Sequence, residues 1–344
     1  MTGYTGKCPQ KGKLPRGTRQ SEGKLNGRGP AGRRPRAGER AARKERSRIM
    51  IFLSNLVNGI SLGSIYAIIA LGYTMVYGIA KMLNFAHGDV IMVGAYVAFC
   101  ALQYWGLPPI AALLVAMVLC TVLGITIEGL AYRPLRQATS LAVLITAIGM
   151  SYLLQNLALL IWGANPKSFP AAVMIPIPMI SLFGGRLNIS GVTLIAILAN
   201  LVIMAVLTAF ISRTKLGKAM RCVSEDRGAA ELMGINVNRT ISATFAIGSA
   251  LAAVAGILLC SAYPTLMPTT GSMPGIKAFT AAVFGGIGSI PGAMIGGILL
   301  GVIESLAKAY ISTQLSNSVV FAVLIVILLV RPAGLLGKHT QEKV

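Results

Sequence analysis

Charged side chains are scarce in this sequence of 344 residues. They make up 12% of it, roughly half the share that is typical of a soluble domain. Apolar residues make up 55%, and the mean hydropathy is +0.72. A soluble core of this size could not hide so much apolar surface, whereas a bilayer accepts helices of roughly 20 apolar residues. The composition therefore predicts an integral membrane protein.

The signatures of common enzymes and metal sites are also missing. No G-x-x-x-x-G-K-[ST] string occurs, so we do not expect the chain to bind ATP through a P-loop. There is no H-E-x-x-H string and no Ser/His/Asp grouping, and the five cysteines lie outside any C-x-x-C or Cys/His spacing. We therefore predict no enzymatic activity from the chain's own side chains, no cofactor and no metal site.

Positive charge is concentrated in residues 1–49, which hold fifteen Lys and Arg residues and three Glu. Such a segment is typical of a solvated extension without a stable fold, or of a nucleic-acid-binding tail. We favour the extension. A start codon assigned too far upstream is a third interpretation, because Met50 directly precedes the first apolar segment. Residues 50–338 then form the transmembrane domain, and 339–344 form a cytoplasmic tail.

Eight apolar segments follow Met50. Backbone groups in hydrocarbon must pair within the protein, so these segments are either helices or strands of a closed barrel. Their length and their lack of alternation favour helices. We predict an all-α polytopic membrane protein with about 8–10 transmembrane helices. The segments are 51–79, 90–105, 109–131, 140–162, 189–211, 240–262, 277–307 and 317–331.

Two segments are expected to be broken or re-entrant. Segment 51–79 is long for one crossing and contains Gly59 and Gly63. Segment 277–307 contains a cluster of residues that interrupt helices. The residues of this predicted break are Gly285, Gly286, Gly288, Pro291 and Gly292. Double passes in both segments, with the basic loops in the cytoplasm, would put both chain ends on the cytoplasmic side.

Three polar residues at a gap between apolar segments are candidates for a pathway or gate: Asn84, His87 and Asp89. Ionisable groups at membrane depth are costly and often functional. The alternative interpretation is an interfacial turn with helix capping. Glu304 and Lys308 are four residues apart, and this spacing predicts an ordinary ion pair on a helix surface.

The basic stretch 212–239 predicts a short cytoplasmic helix between two spans. Ser224 suits the N-cap, Glu225 and Asp226 suit the first turn, and Gly234 suits the position after the helix. The helix is either a capped surface loop or a docking element for a cytoplasmic partner.

This stretch resembles the coupling loop of permease subunits in bacterial ABC importers. Other strings narrow the resemblance to branched-chain amino-acid ABC transporter permeases of the LivH type, the shorter of two permease subunits. These strings are Asn58-Gly-x-x-Leu-Gly-Ser-x-Tyr-Ala67, Leu71-Gly-Tyr-Thr-Met-Val-Tyr-Gly78, Asn84-Phe-Ala-His-Gly88 and the run 277–297. The resemblance covers about residues 50–338. It is specific, because long stretches match in order.

The resemblance implies an ABC importer permease fold and the transport of leucine, isoleucine or valine across a bacterial inner membrane. It implies a second permease subunit, two cytoplasmic ATPase subunits and a periplasmic substrate-binding protein as partners, with no nucleic acid. It also implies that about 216–235 form the coupling helix that meets the ATPases. The residues assigned to this coupling are Gly217, Glu225, Asp226, Ala229, Ala230 and Gly234.

Two alternatives remain open. One is a permease of a related ABC importer for other amino acids or amides. The other is a secondary transporter that works without an ATPase. A secondary transporter would need coupling-ion or proton-relay residues, and the apolar segments hold few ionisable side chains.

Overall fold

A computed structural model of the chain describes residues 37–170, 180–182, 187–189, 191–331 and 334–337. Eleven α-helices account for most of this described part. They are α1 (Ala37–Ala80), α2 (His87–Gln103), α3 (Pro109–Ile127), α4 (Ser140–Trp162), α5 (Gly191–Arg213), α6 (Lys215–Glu225), α7 (Arg227–Leu232), α8 (Val237–Ala262), α9 (Ser272–Gly285), α10 (Ile290–Tyr310) and α11 (Ser316–Val330).

A π-helical turn and four very short strands complete the described secondary structure. The π-helical turn, Glu128–Tyr132, continues α3. Strand β1 (Lys167–Ser168) pairs antiparallel with β4 (Thr265–Leu266), which joins the loops that follow α4 and α8. Strand β2 (Ile180–Leu182) pairs antiparallel with β3 (Leu187–Ile189).

Six helices are long and apolar enough to cross a membrane. They are the Arg48–Ala80 part of α1, α3 with its π-helical turn, α4, α5, α8 and α10. Helices α2 and α11 are apolar but shorter, with 17 and 15 residues. The described residues thus hold eight apolar helices, at the lower limit of the predicted number. The prediction of an all-α polytopic membrane protein is confirmed.

Helix α1 lies at the centre of the bundle. Every residue from Ser61 to Val76 is buried. Helices α4 and α5 instead expose large apolar side chains on their outer faces, among them Leu160 and Leu198. A helix that is apolar all round belongs in a protein interior, and an apolar exterior suits a protein that is surrounded by lipid.

Glycines bring α1 and α10 into backbone contact. A Cβ atom added to Gly59 would lie 2.8 Å from the Val302 Cα atom, and one added to Gly63 would lie 2.6 Å from the Ile298 Cα atom. The predicted break in 51–79 is therefore wrong, because α1 is continuous through both glycines. They allow close helix packing, as small residues do in membrane helices.

A single pass of α1 replaces the double pass that was predicted for 51–79. We call the end of the bundle that carries Lys81, Arg136 and Arg227 the basic end. Helix α10 runs antiparallel to α1, and the Ser305 hydroxyl donates to the Asn55 carbonyl at 2.7 Å, far from the basic end. Asn55 therefore lies at the opposite end from Lys81, and the double pass predicted for 51–79 is wrong, while both chain ends lie outside the described residues.

The segment 277–307 divides into α9 and α10. Helix α9 ends at Gly285, and the next residue, Gly286, has a φ of +104° that favours glycine. Ser289 then caps α10 by accepting a hydrogen bond from the Gly292 amide at 3.2 Å. The Leu335 amide donates to the Phe284 carbonyl at 3.0 Å, so the C-terminal segment satisfies an acceptor left free at the end of α9.

A buried ion cluster joins α9 and α10 to α1. The Lys277 and Lys308 ammonium groups each lie 2.7 Å from the same Glu304 carboxylate oxygen, and Tyr66 donates to the other oxygen at 3.0 Å. Glu304 is 1% exposed. The predicted surface pair of Glu304 and Lys308 is therefore part of a buried network, because Lys277 approaches from the neighbouring helix.

The chain divides into two units, residues 1–45 and 46–344. Residues 1–36 and 338–344 lie outside the described residues, and so does most of the predicted basic extension together with the 339–344 tail. Ala37–Ile49 are helical and form the first turns of α1. For these residues the expectation of an unfolded extension differs from the structure.

Replacing Gly301 with alanine should destabilise the bundle. A Cβ atom there would meet the backbone of Gly63 and lie 2.7 Å from the Gly59 carbonyl oxygen. We expect a loss of about 1–3 kcal/mol, as for overpacked cores, measured by thermal unfolding of the purified protein in detergent. The matched control is Gly149→Ala in α4, where no atom lies within 4 Å of the added Cβ. Equal stability of the two variants would contradict this packing.

Candidate functional site

The predicted gate residues lie where the chain turns from α1 into α2, with Asn84 in the connecting turn and His87 and Asp89 in the first turn of α2. Lys81 has a φ of +51°, which is unusual for a residue other than glycine, and turns the chain back towards the bundle. Asn84, His87 and Asp89 are consequently buried, with exposures of 6%, 1% and 1%. No side chain caps the start of α2, so capping does not account for these polar residues.

Asn84 connects the turn to α3. The Tyr132 hydroxyl, in the π-helical turn, donates to the Asn84 Oδ1 atom at 2.9 Å. The Tyr132 ring also packs on Phe245 of α8, with ring centroids 5.3 Å apart. A π-helical turn displaces side chains from the regular helical positions and is frequent at functional sites. Here it places Tyr132 against the α1–α2 turn.

His87 is packed tightly against α1. Its ring lies edge-on to Tyr73, with centroids 4.6 Å apart, and it hydrogen-bonds the Ile69 backbone. A Cβ atom added to Gly72 would lie 2.5 Å from the His87 Nε2 atom, so only glycine leaves room for the ring. Nε2 has no hydrogen-bond partner among the described residues. His87 therefore packs in the interior and joins no metal-binding group in the described part of the chain.

Asp89 forms a separate polar network with α4 and α9. Ser151 donates to its Oδ2 atom, and Gln155 donates to its Oδ1 atom at 2.9 Å. Gln155 also contacts the Ser272 hydroxyl at 3.2 Å. None of the ion pairs in the described residues includes Asp89.

The environment of Asp89 offsets its charge only in part. It lies in the first turn of α2, where the helix dipole stabilises an anion by about 0.3–1 kcal/mol, or about 2 kcal/mol in a buried site. The desolvation of a buried ion costs several kcal/mol. The carboxylate therefore depends on Ser151 and Gln155, and it still lacks a cation.

The predicted gate residues thus share one turn but not one set of partners. Asn84 contacts the π-helical turn after α3, His87 packs on α1, and Asp89 bonds to α4.

The predicted break in 277–307 lies near the C-terminal end of α1, because a Cβ atom added to Gly78 would be 3.2 Å from the Gly288 Cα atom.

The predicted coupling region consists of two short helices instead of one. Helix α6 folds back on α5 at Gly217, where an added Cβ atom would lie 2.5 Å from the Phe210 carbonyl oxygen. Thr214 caps α6 by accepting from the Gly217 amide at 3.0 Å. Asp226 is extended, with a φ of −150°, and separates α6 from α7.

Asp226 caps α7, whereas Ser224 was predicted to cap this region. The Asp226 Oδ1 atom accepts from the Ala229 amide at 3.1 Å. Ser224 lies inside α6 and donates back to the Arg221 carbonyl at 2.7 Å. Gly234 has a φ of +81°, the left-handed conformation that is typical after a helix end.

The coupling residues differ in exposure. Glu225, Asp226 and Ala229 are exposed, but Ala230 is 3% exposed and packs inside the region. Leu232 and Met233 are 90% and 83% exposed. They were not among the predicted site residues, although two large apolar side chains before a glycine in a polar loop are a readable signal. Two such side chains form an exposed apolar patch at the basic end.

Arg227 connects the coupling region to α1. Its guanidinium group donates to the Ala80 carbonyl, one of the last acceptors of α1. Burial, with a smaller contribution from nearby Arg136, lowers the pKa of Arg227 below its ordinary value. The position of Arg227 before an Ala-Ala pair in the sequence gave no sign of this long-range contact, because 147 residues separate the two partners.

A cavity of about 560 Å³ lies between the coupling region and the membrane helices. Its lining includes Tyr77, Lys81, Arg136, Glu225 and Arg227. The cavity leaves space beside Arg227.

A buried acid joins the π-helical turn to the loop before α4 and to α8 beside this cavity. Glu128, in the π-helical turn, pairs with Arg136 and accepts from the Ser242 hydroxyl at 2.6 Å. Arg136 also donates to the Asn238 side chain. Glu128 is 1% exposed, so it is fully inside the bundle and has its cation within reach.

Comparison with known proteins identifies close relatives. The model of the family "Branched-chain amino acid transport system / permease component" matches residues 55–329. The permease protein LivH of the high-affinity branched-chain amino acid transport system of Salmonella typhimurium is 45% identical, over 86% of this chain and 99% of its own length. BraD of Pseudomonas aeruginosa, a permease protein of the same kind of system, is 46% identical over 85% and 98%.

More distant matches extend the comparison. A probable LivH from Methanocaldococcus jannaschii is 30% identical over 82% of this chain and 91% of its own length. A solved structure of PsaBC from Streptococcus pneumoniae in complex with Fab matches 79% of this chain and 89% of its own, with 15% identity and a TM-score of 0.42.

Replacing Gln155 with leucine should destabilise the protein through Asp89. The variant leaves a buried carboxylate without one of its two side-chain donors, at an expected cost of about 1–3 kcal/mol in thermal unfolding. Asn156→Leu is the matched control, because the exposed Asn156 side chain donates only to the Tyr152 carbonyl of its own helix. A control as unstable as Gln155→Leu would contradict the role of the Asp89 network.

Proposed function

This chain belongs to the family of permease components of branched-chain amino acid transport systems, and on that premise we propose that it is the LivH-type permease subunit of an ABC importer. Its cargo is leucine, isoleucine and valine. The observation that carries the proposal is 45% identity to LivH over 99% of the relative's length. The membrane-spanning helices and the exposed loop at the basic end agree with this role.

The basic end faces the cytoplasm in this proposal. Lys and Arg residues in short loops mark the cytoplasmic side of membrane proteins, and Lys81, Arg136 and Arg227 lie together there. The membrane is then the bacterial inner membrane. A periplasmic substrate-binding protein delivers cargo at the opposite end, and a second permease subunit completes the pathway.

Two cytoplasmic ATPase subunits supply the energy, because the chain has no P-loop of its own. The exposed Leu232 and Met233 side chains offer apolar anchors for an ATPase, and Glu225, Asp226 and Ala229 surround them with polar and small groups. Large apolar side chains that become buried on binding contribute most to such interfaces. Ala230 and Gly217 instead maintain the shape of the coupling region.

Movement of the ATPases reaches the membrane helices through defined contacts. Helix α6 is fixed to α5 by the tight turn at Gly217, and Arg227 donates to the Ala80 carbonyl at the end of α1. The turn that follows α1 leads into the proposed gate residues Asn84, His87 and Asp89. Displacement of the coupling region therefore changes the position of this turn, provided that the contacts differ between the two transport states.

One observation keeps a second candidate function in consideration. Asp89, Lys277 and Glu304 are ionisable and buried, so the interior holds more charge than the apolar segments suggested. Buried ionisable groups are typical of proton and ion relays in secondary transporters. Lys277 and Lys308 both pair with Glu304 in a cluster that joins three helices, which favours a structural role for these residues.

Leucine uptake by the reconstituted importer should depend on ATP. Proteoliposomes with both permease subunits, both ATPases and the binding protein should accumulate labelled leucine only when ATP is supplied to the ATPase side. Vesicles with an ATPase variant that cannot hydrolyse ATP are the control. Uptake that continues without any ATPase would contradict the ABC importer and support the secondary transporter.

Removing the apolar anchors should weaken ATPase binding. We expect the double variant Leu232→Ser/Met233→Ser to reduce ATPase co-purification by about tenfold or more, since both side chains lose buried apolar area. Leu315→Ser is the matched control, because Leu315 is 53% exposed at the N-terminus of α11, opposite the basic end. Thermal unfolding should be unchanged in both variants. Normal co-purification of the double variant would place the ATPase contact elsewhere.

A further inference from the structure

Three acidic residues are buried in the described part of the chain: Asp89, Glu128 and Glu304. Glu128 pairs with Arg136, and Glu304 pairs with Lys277 and Lys308. Asp89 has only the neutral donors Ser151 and Gln155. Among the described residues, two of the three buried acids thus have a cationic partner, and Asp89 has none.

The Asp89 carboxylate has hydrogen-bonding capacity for further donors. Its two oxygens together accept up to about four hydrogen bonds, and the side chains of Ser151 and Gln155 supply one each. An ammonium group is a three-fold donor with a positive charge, so it would add both hydrogen bonds and charge. The neutral donors orient the carboxylate without neutralising it.

The network also reaches an outer face of α4. Ser151 and Gln155 are half-buried and one turn apart, and their immediate neighbours in sequence, Tyr152 and Asn156, are exposed. An exposed amide and hydroxyl at membrane depth are costly against lipid. This face therefore suits a polar pathway beside a second subunit, and Asp89 is one side chain behind it.

We propose that Asp89 binds the α-ammonium group of the amino acid in transit, with Ser151 and Gln155 as positioning residues. This inference rests on the proposed function and adds a cargo contact to it. Branched-chain amino acids have aliphatic side chains, so the ammonium and carboxylate groups are their main polar features. A charge-assisted hydrogen bond to a buried carboxylate selects the ammonium group without slowing the passage of the side chain.

The proposed ligand contact is tested by measuring whether amino acids protect Asp89 from a hydrophobic carbodiimide, a reagent that modifies buried carboxyl groups. The complete complex of permease subunits and ATPases is labelled in detergent, and the Asp89 peptide is quantified by mass spectrometry. Leucine and isoamylamine, which both carry an ammonium group, should reduce Asp89 labelling. The deaminated analogue 4-methylpentanoate should not. The Glu304 peptide is the internal control, and its labelling should not respond to any of the three compounds.

Transport provides the second measurement. Asp89→Asn keeps the size of the side chain and removes the charge, so leucine uptake should fall by about tenfold or more, as expected for the loss of one charge-assisted hydrogen bond. ATP hydrolysis should persist in this variant, which shows that the complex still assembles. Glu128→Gln, which also changes a buried carboxylate to an amide, is the matched control and should keep leucine protection at Asp89.

Several results would overturn the inference. Equal protection by 4-methylpentanoate would exclude the ammonium group as the recognised feature. Asp89 could be labelled in the isolated chain but protected in the complex without any ligand. This result would show that a cation of a partner subunit occupies the site. Equal leucine uptake by the wild-type complex and by Asp89→Asn would contradict the cargo contact. The proposed function as an importer would still stand. Absence of wild-type uptake contradicts the proposed function instead, and the labelling assay still decides the ammonium site because it needs no transport.

Discussion

A charge buried in the apolar interior of the bundle is costly unless a partner lies within reach, and this cost determines how several of the helices are joined. Glu304 brings α9 and α10 to α1 through Lys277 and Tyr66. Glu128 brings α8 to the π-helical turn through Ser242. Since an unpaired buried charge costs several kcal/mol, each of these contacts also fixes a helix register. Asp89 stands out because its partners are all neutral.

The same requirement explains how a polar loop can act on an apolar bundle. The end of α1 leaves carbonyl groups without helical partners, and Arg227 reaches across to one of them. A cation at a helix C-terminus also interacts favourably with the helix dipole. The Arg227 hydrogen bond thus attaches the coupling region to α1 beside a cavity, and a directional contact of this kind can change between two states.

Sequence reasoning was reliable where a property depends on neighbouring residues and failed where it depends on distant ones. The apolar segments predicted the helices, and Gly286 with Pro291 predicted the break between α9 and α10. Gly59 and Gly63 were misread as helix breaks because a glycine that allows close packing and one that ends a helix look alike in sequence. Only the position of α10 distinguishes the two.

At the polar sites, too, local features were predicted correctly and contacts between distant residues were not. Gly234 is correctly placed after a helix end by its local preference for positive φ. The assignment of Ser224 as N-cap is wrong, because Asp226 is an equally good cap and the extended residue that separates α6 from α7 is not visible in the sequence. The network of Asp89 with Gln155 joins residues 66 positions apart. No local pattern reports such a contact, and the same holds for Arg227 and Ala80.

These packing differences indicate which parts of the permease move together. Helices α1 and α10 touch through backbone at the glycine contacts, and with α9 they share the buried Glu304 cluster. Close-packed interiors transmit strain instead of absorbing it, so these three helices should act as one rigid group. The turn after Ala80 is attached to this group by the Phe85 and Phe279 rings, whose centroids lie 5.6 Å apart, and it is also held by Arg227 and by Tyr132. A displacement of the coupling region therefore reaches this turn through the Arg227 contact at Ala80, and the turn leads directly into Asp89 and the polar face of α4.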